Sequence, residues 1–331
     1  MRAAMRNVAL VVSIFLCSRA FSSQSVVWQA PAAGRAVAFS PDAQLILTGM
    51  QLRYTSSGSL IRTFKTGYTS SSSVNAAAFS PDGKYAAFGI QAFNQNLFLF
   101  RVSDGTKLAG PISAHNNGTS SVVFSPNGQL LASAGMDGTV KLWRVPDMTL
   151  IRTLNGGVGY RPRVFATVFS KDGTMVALAG QGGVLQYRVS DGVMLRQLTT
   201  VASISLTISA NGAVLVSGSN QIDQYGQCVD CSVKFWRMSD GLYWGTIPGN
   251  NNGVRALALP PDQKQIAVGG GDRVYSGSVR FFNMTTGASI DTWLQDPNNP
   301  GSYITSVAYA PYGRLFAYAR QDAMVIVAFA P

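Results

Sequence analysis

Val123-Phe124-Ser125-Pro126-Asn127-Gly128 ends a short apolar run in a tight turn, and the chain repeats this phrase along its length. It stands earlier as Ala38-Phe39-Ser40-Pro41-Asp42 and Ala78-Phe79-Ser80-Pro81-Asp82-Gly83, and later as Val168-Phe169-Ser170-Lys171-Asp172-Gly173. Looser copies follow at Thr207-Ile208-Ser209-Ala210-Asn211-Gly212, Ala258-Leu259-Pro260-Pro261-Asp262 and Ala308-Tyr309-Ala310-Pro311-Tyr312-Gly313. Their third positions lie 40, 45, 45, 39, 51 and 50 residues apart. A period of that size marks one supersecondary unit repeated in an array. Seven copies in 331 residues therefore predict one closed array and not two unrelated domains.

The repeat around residue 125 shows what the unit is. Ser121-Val122-Val123-Phe124 alternates toward a turn in which Pro126 presets the first corner and Asn127-Gly128 tolerates positive φ. Gln129 to Ala134 reads as a second strand, and Asp137-Gly138 as a second turn. Thr139 to Arg144 is a third strand, Pro146-Asp147 turns the chain again, and Leu150 to Leu154 is a fourth. Third strands recur at 97–100, 184–187, 233–236 and 279–282, with Ser-Asp-Gly turns at 103–105, 190–192 and 239–241. Fourth strands recur at 60–64 and 194–198. A lone four-stranded sheet leaves two apolar faces open. Seven sheets packed radially cover both faces of each.

These residues resemble the WD-repeat β-propeller family over essentially the whole chain after residue 20. The resemblance implies an all-β, seven-bladed β-propeller of four-stranded antiparallel blades, at about 34–66, 74–113, 120–155, 163–199, 202–248, 253–295 and 303–331 plus 25–30. It implies a structural tetrad in the third repeat: His115, Ser133, Asp137 and Trp143, hydrogen-bonded in a buried chain. Only this repeat keeps the histidine, and the namesake Trp-Asp pair reads Trp143-Arg144 and Trp236-Arg237. The last repeat stops at a third strand, Ala323 to Phe329, whereas Ser25-Val26-Val27-Trp28-Gln29 is a strand without a blade. Pairing the two completes the last blade and removes an open edge, as members of the family do.

Composition narrows the function classes. The chain is 47% hydrophobic and 12% charged, and all fifteen of its carboxylates are aspartates. Residues 1–20 read as a signal peptide: Arg2 and Arg6, an apolar run from Val8 to Leu16, then Ser18-Arg19-Ala20. That run is too short to span a bilayer as a helix, so the expectation is a secreted or periplasmic protein without a membrane span. Removing it takes three arginines, and the formal charge falls from +11 to +8. The basic residues form no run, which argues against nucleic acid.

Catalytic groups are scarce. His115 is the single histidine, so no Ser-His-Asp triad or multi-histidine metal site is expected. Asp42, Asp82, Asp172 and Asp262 belong to one turn family, and Asp104, Asp147, Asp191 and Asp240 to another. A hydrolase would have to draw its paired carboxylates from Asp223, Asp230, Asp272, Asp291, Asp296 and Asp322. Cys228-Val229-Asp230-Cys231 lies in an insertion with no helix to activate a thiolate and no further soft ligand, so a local disulfide between Cys228 and Cys231 is expected. No catalytic residue, cofactor or metal is assigned. Asn117 and Asn283 head Asn-x-Thr glycosylation patterns.

Variable loops are the remaining place for function. They are Thr66–Ser73, Ala114–Ser120, Asn155–Arg163, Gly249–Gly253 and Gln295–Tyr303, joined on one face by insertions at Gln91–Asn96, Ser219–Ser232 and Gly269–Ser278. Nearly every one sets an aromatic among Gly, Ser or Asn, and arginines lie among them. The candidate partner-binding residues are Tyr68, Phe93, Tyr160, Arg161, Arg163, Tyr225, Arg273, Tyr275 and Tyr303. Rigid aromatics among small polar residues make adaptable recognition surfaces, although tyrosines also pack down their own loops. The expectation is a monomeric, non-enzymatic scaffold for a protein or peptide partner. A carbohydrate-binding propeller is the alternative, and a hydrolase or lyase acting across the central channel is a third.

Overall fold

The computed structural model describes residues 25–32, 34–67, 74–94, 96–156, 163–225, 228–249, 253–271, 277–294 and 303–331. These form seven four-stranded antiparallel sheets and one two-stranded hairpin. Six blades are simple meanders in chain order. The third, for example, runs Thr119–Phe124, Leu130–Gly135, Thr139–Arg144 and Thr149–Asn155. First strands of successive blades lie side by side around the axis, and that of blade 7 (Ile304–Tyr309) lies against that of blade 1 (Val37–Phe39).

The seventh blade has a different origin. Its outermost strand is Ser25–Pro31, paired antiparallel with Met324–Phe329. Trp28 anchors this strand to blade 1 by donating its indole N–H to Thr55 O at 2.7 Å. The two ends of the described chain thus share one sheet.

The repeated phrase builds the turn between first and second strands. Ser80 Oγ donates to Asp82 Oδ1 at 2.6 Å, and the same carboxylate oxygen accepts from Lys84 N at 3.1 Å. Tyr85 N–H returns a bond to Ser80 Oγ at 2.9 Å. Ser40/Asp42, Ser125/Asn127, Ser170/Asp172 and Ser209/Asn211 do the same. Gly83 closes its copy at φ 71°, a left-handed conformation that needs no Cβ.

The cores lie between blades. Leu47, Leu52 and Phe64 of blade 1 pack on Phe88, Phe98 and Phe100 of blade 2. Phe281 and Trp293 of blade 6, with ring centroids 4.6 Å apart, pack on Phe316 and Tyr318 of blade 7. Each blade therefore buries its apolar faces only because it has two neighbours. Outer strands add polar clamps. Arg62 donates to Ser103 O at 2.9 Å, Arg152 to Asp191 O at 2.7 Å and Arg196 to Ser239 O at 2.9 Å, each reaching the next blade.

Meander topology sorts the turns onto two faces. Turns between strands one and two, and between three and four, share a face, called here the turn face. Blade connectors and the turns between strands two and three share the opposite one, the connector face.

Candidate protein-interaction face

Carboxylates of the turn face are already engaged. Arg101 binds Asp104 at 2.9 Å, Arg144 binds Asp147 at 2.7 Å and Arg188 binds Asp191 at 2.6 Å, each between the end of a third strand and the turn after it. Arg237 Nε donates to Asp240 at 2.8 Å, and Lys84 lies 3.2 Å from Asp82. The backbone N–H of Thr106 is the first cause holding Asp104 down to about 2, and the Arg144 guanidinium holds Asp147 down to about 2. Lys171, Lys264 and Arg314 complete the basic set of these turns. The short turns and closed pairs describe a scaffold.

On the connector face the third blade is fastened from within. Trp143 Nε1–H donates to Ser133 Oγ at 2.8 Å, and His115 Nε2 lies 2.8 Å from that hydroxyl. An indole can only donate, so the serine oxygen accepts from Trp143, and a carboxylate can only accept, so the opposite ring nitrogen donates to Asp137 at 3.0 Å. Burial alone would raise the Asp137 pKa. Bonds from His115, Thr139 and the Asn116 N–H outweigh it and bring the carboxyl to about 2. Gly135 makes room for the ring, since a Cβ there would sit 2.2 Å from His115.

Asn96 escapes sequence reasoning. Fully buried at the end of a blade 2 turn, it donates to His115 O and accepts from His115 N–H at 3.2 Å and Thr119 Oγ1 at 2.9 Å. It joins blade 2 to the chain of bonds in blade 3. Its signal in the sequence is one asparagine among four in nearby loops. Third-strand cations also brace this face: Lys141 donates to Ala114 O, and Arg280 to Gly249 O at 2.8 Å.

The insertion of blade 5 forms a hairpin, Gln221–Ile222 with Cys228–Asp230, and a disulfide joins Cys228 to Cys231. Asp230 pairs with Lys234, while Trp236 donates to Ser217 Oγ at 2.9 Å.

The candidate recognition residues separate into three groups. Phe93 and Tyr225 project from this face, 71% and 78% exposed, and Arg163 is exposed at the start of blade 4. Tyr303 instead lies half-buried beneath Arg255, whose guanidinium stands 4.2 Å above its ring. Arg255 thus covers one face of the Tyr303 ring. Tyr68, Tyr160, Arg161, Arg273 and Tyr275 lie outside the described residues. Arg35 and Lys65, in the connectors entering and leaving blade 1, were not among the candidates. Neither side chain has a bonded or ionic partner among the described residues, and the same holds for the side chain of Arg163. No cluster of metal-ligating side chains occurs among the described residues, and no helix there is long and apolar enough to cross a membrane.

Fold and site together define a seven-bladed β-propeller whose connector face exposes Phe93 and Tyr225 and whose turn-face carboxylates are paired with local cations. Residues 58–100, 106–144 and 243–283 match the family model for the WD domain, G-beta repeat. Relatives include an Autophagy-related protein 16 from Arabidopsis thaliana, 26% identical across 65% of this chain and 39% of that protein. A Guanine nucleotide-binding protein subunit beta from Zea mays is 25% identical across 61% of this chain and 55% of that protein. The Target of rapamycin complex subunit wat1 from Schizosaccharomyces pombe is 23% identical across 50% of each. The chain spans about half the length of these relatives or less. These matches support the WD-repeat β-propeller family. Each matched segment holds the outer strand of one blade and three strands of the next, so the sequence repeat is staggered from the blade by one strand. That stagger is why the seventh blade borrows its outer strand from the other end of the chain.

Proposed function

We propose that this chain is an exported, non-enzymatic scaffold whose connector face receives a protein partner. The observation that carries this is the setting of the exposed aromatics: Phe93 and Tyr225 stand out from the non-uniform insertions of the connector face, whereas the turn face repeats short turns whose carboxylates are paired with cations of the same turn, with Tyr312 as an exposed aromatic. Large apolar side chains held in solvent on rigid turns are the anchors that interfaces use. Two relatives are named as subunits of larger assemblies, which agrees with a scaffold role. Export follows from the charged start, apolar run and small residues of positions 1–20.

The test places a photo-crosslinking amino acid at Phe93, at Tyr225 or at Tyr312 of the turn face, in the native host. Adducts at the first two positions and none at Tyr312 are expected. Equal labelling at all three would defeat the assignment. N-terminal sequencing checks export: a chain beginning at Phe21 outside the cytoplasm is expected, and a cytoplasmic chain retaining residues 1–20 would exclude it.

A further inference from the structure

One blade junction departs from the clamps that join the others. Strand register aligns a single outer-strand position around the ring, and it holds Arg62, Ala109, Arg152, Arg196, Gly245, Asp291 and, in blade 7, Trp28. Each of the three arginines donates to a carbonyl in the turn between strands three and four of the next blade. Trp28 does the same to Thr55 O of blade 1. Of the seven blades, only blade 6 places an anion there, Asp291.

The blade that follows is also the exception. Blade 7 has no turn between strands three and four, because its third strand ends at Phe329 and its outer strand begins at Ser25. Among the described residues, this junction therefore offers no turn carbonyl to a donor. A cavity of about 270 Å³ lies there instead, with Asp291 and Trp293 of blade 6 and Ser25, Arg314 and Phe329 of blade 7 on its walls. Asp291 is partly buried, and its carboxylate is held in place by Thr292 N–H at 2.7 Å and by the Trp293 indole at 2.9 Å. Arg314 donates to Ala330 O, and Phe329 is 52% exposed.

Phe21-Ser22-Ser23-Gln24 directly precedes Ser25 and lies outside the described residues. Four residues span at most roughly 14 Å, so an amine at residue 21 cannot lie far from a cavity that Ser25 lines. We propose that the α-ammonium created at Phe21 by removal of residues 1–20 docks on Asp291, with the Phe21 ring against Phe329. This rests on the export reading above and adds a role for the new terminus. A carboxylate replaces the arginine of other junctions because what it meets is a chain end and not a turn carbonyl. The ammonium exists at that position only after cleavage, so processing and the clamping of the last blade become one event.

The experiment takes the full chain exported by the native host and sequences its N-terminus. It then measures acylation of the Phe21 amine near neutral pH, by mass spectrometry of the terminal peptide. A carboxylate beside an ammonium favours its charged form and withholds the reactive free amine. Labelling at Phe21 is expected to be about tenfold slower in the native chain than in Asp291→Asn, equivalent to about one pKa unit, and the difference should vanish in denaturant. Arg314→Gln should label as slowly as the native chain. A Gly-Ser extension ahead of Phe21, with Asp291 intact, should label as fast as Asp291→Asn, and cooperative melting shows that each variant is folded. Equal rates in the native chain and Asp291→Asn, or a slow extended chain, overturn the inference, while a start at Phe21 leaves export standing. Equal acceleration by Arg314→Gln overturns it too, because general loosening of the cavity would then account for the labelling. A chain that retains residues 1–20 removes both readings.

Discussion

Blades 3 and 5 solve one problem in two ways. Each must hold the turn between its second and third strands against the blade. Both begin from a third-strand tryptophan bonded to a second-strand serine, Trp143 to Ser133 at 2.8 Å and Trp236 to Ser217 at 2.9 Å. Blade 3 extends that bond through His115 to Asp137, and Asn96 continues it into blade 2. Blade 5 has no histidine and a much longer turn. There Asp230 pairs with Lys234, and the Cys228–Cys231 disulfide fixes the base of the hairpin. A propeller blade thus needs its upper turn fastened, but not by one particular chemistry. Replacing the network by a covalent link frees the turn to grow and to present Tyr225.

The sharpest way to break this comparison is His115→Ala. It leaves the Ser133 hydroxyl and the Asp137 carboxylate without their buried partner and opens a cavity, a loss of about 2–4 kcal/mol. Chemical denaturation should show it, and a loss under ~0.5 kcal/mol would mean that blade 3 does not depend on the network. Next come the two tryptophans. Trp236→Phe strands the fully buried Ser217 hydroxyl and should cost about 1–3 kcal/mol, whereas Trp143→Phe leaves Ser133 its histidine and should cost about 1. An inverted order in matched melts would contradict the idea that blade 5 lacks a second partner.

Reduction comes third. Opening a four-residue loop relaxes the unfolded-state constraint by at most ~2 kcal/mol, so Cys228→Ser/Cys231→Ser should melt only slightly early. Hydrogen exchange should rise at the hairpin of blade 5 and stay level in blade 3. Acid comes last. The Asp137 pKa is lowered in the fold, so its contribution is complete above the ordinary carboxylate range and lost as pH falls from about 4 toward 2. With partial solvent screening this amounts to about 1–2 kcal/mol, and Asp137→Asn should flatten that part of the stability profile.

What could be read from the sequence is what recurs or lies within one repeat. Seven phrases fixed the number of blades, and an orphan strand at Ser25 with a missing one after Phe329 indicated how the last blade is completed. The four residues from His115 to Trp143 fall in a single repeat, so their spacing carries information. Asn96 and the arginine clamps do not, because their partners belong to the neighbouring blade. Exposure was also hidden: Phe93 and Tyr303 look alike in composition, yet only Tyr303 has an arginine laid across it.

The pairing of Ser25–Pro31 with Met324–Phe329 sets an order of events in biosynthesis. However early the inner blades condense on the emerging nascent chain, their circle stays unlatched until Met324–Phe329 has been made. A truncated product would carry an unsatisfied sheet margin, open to pairing with other chains.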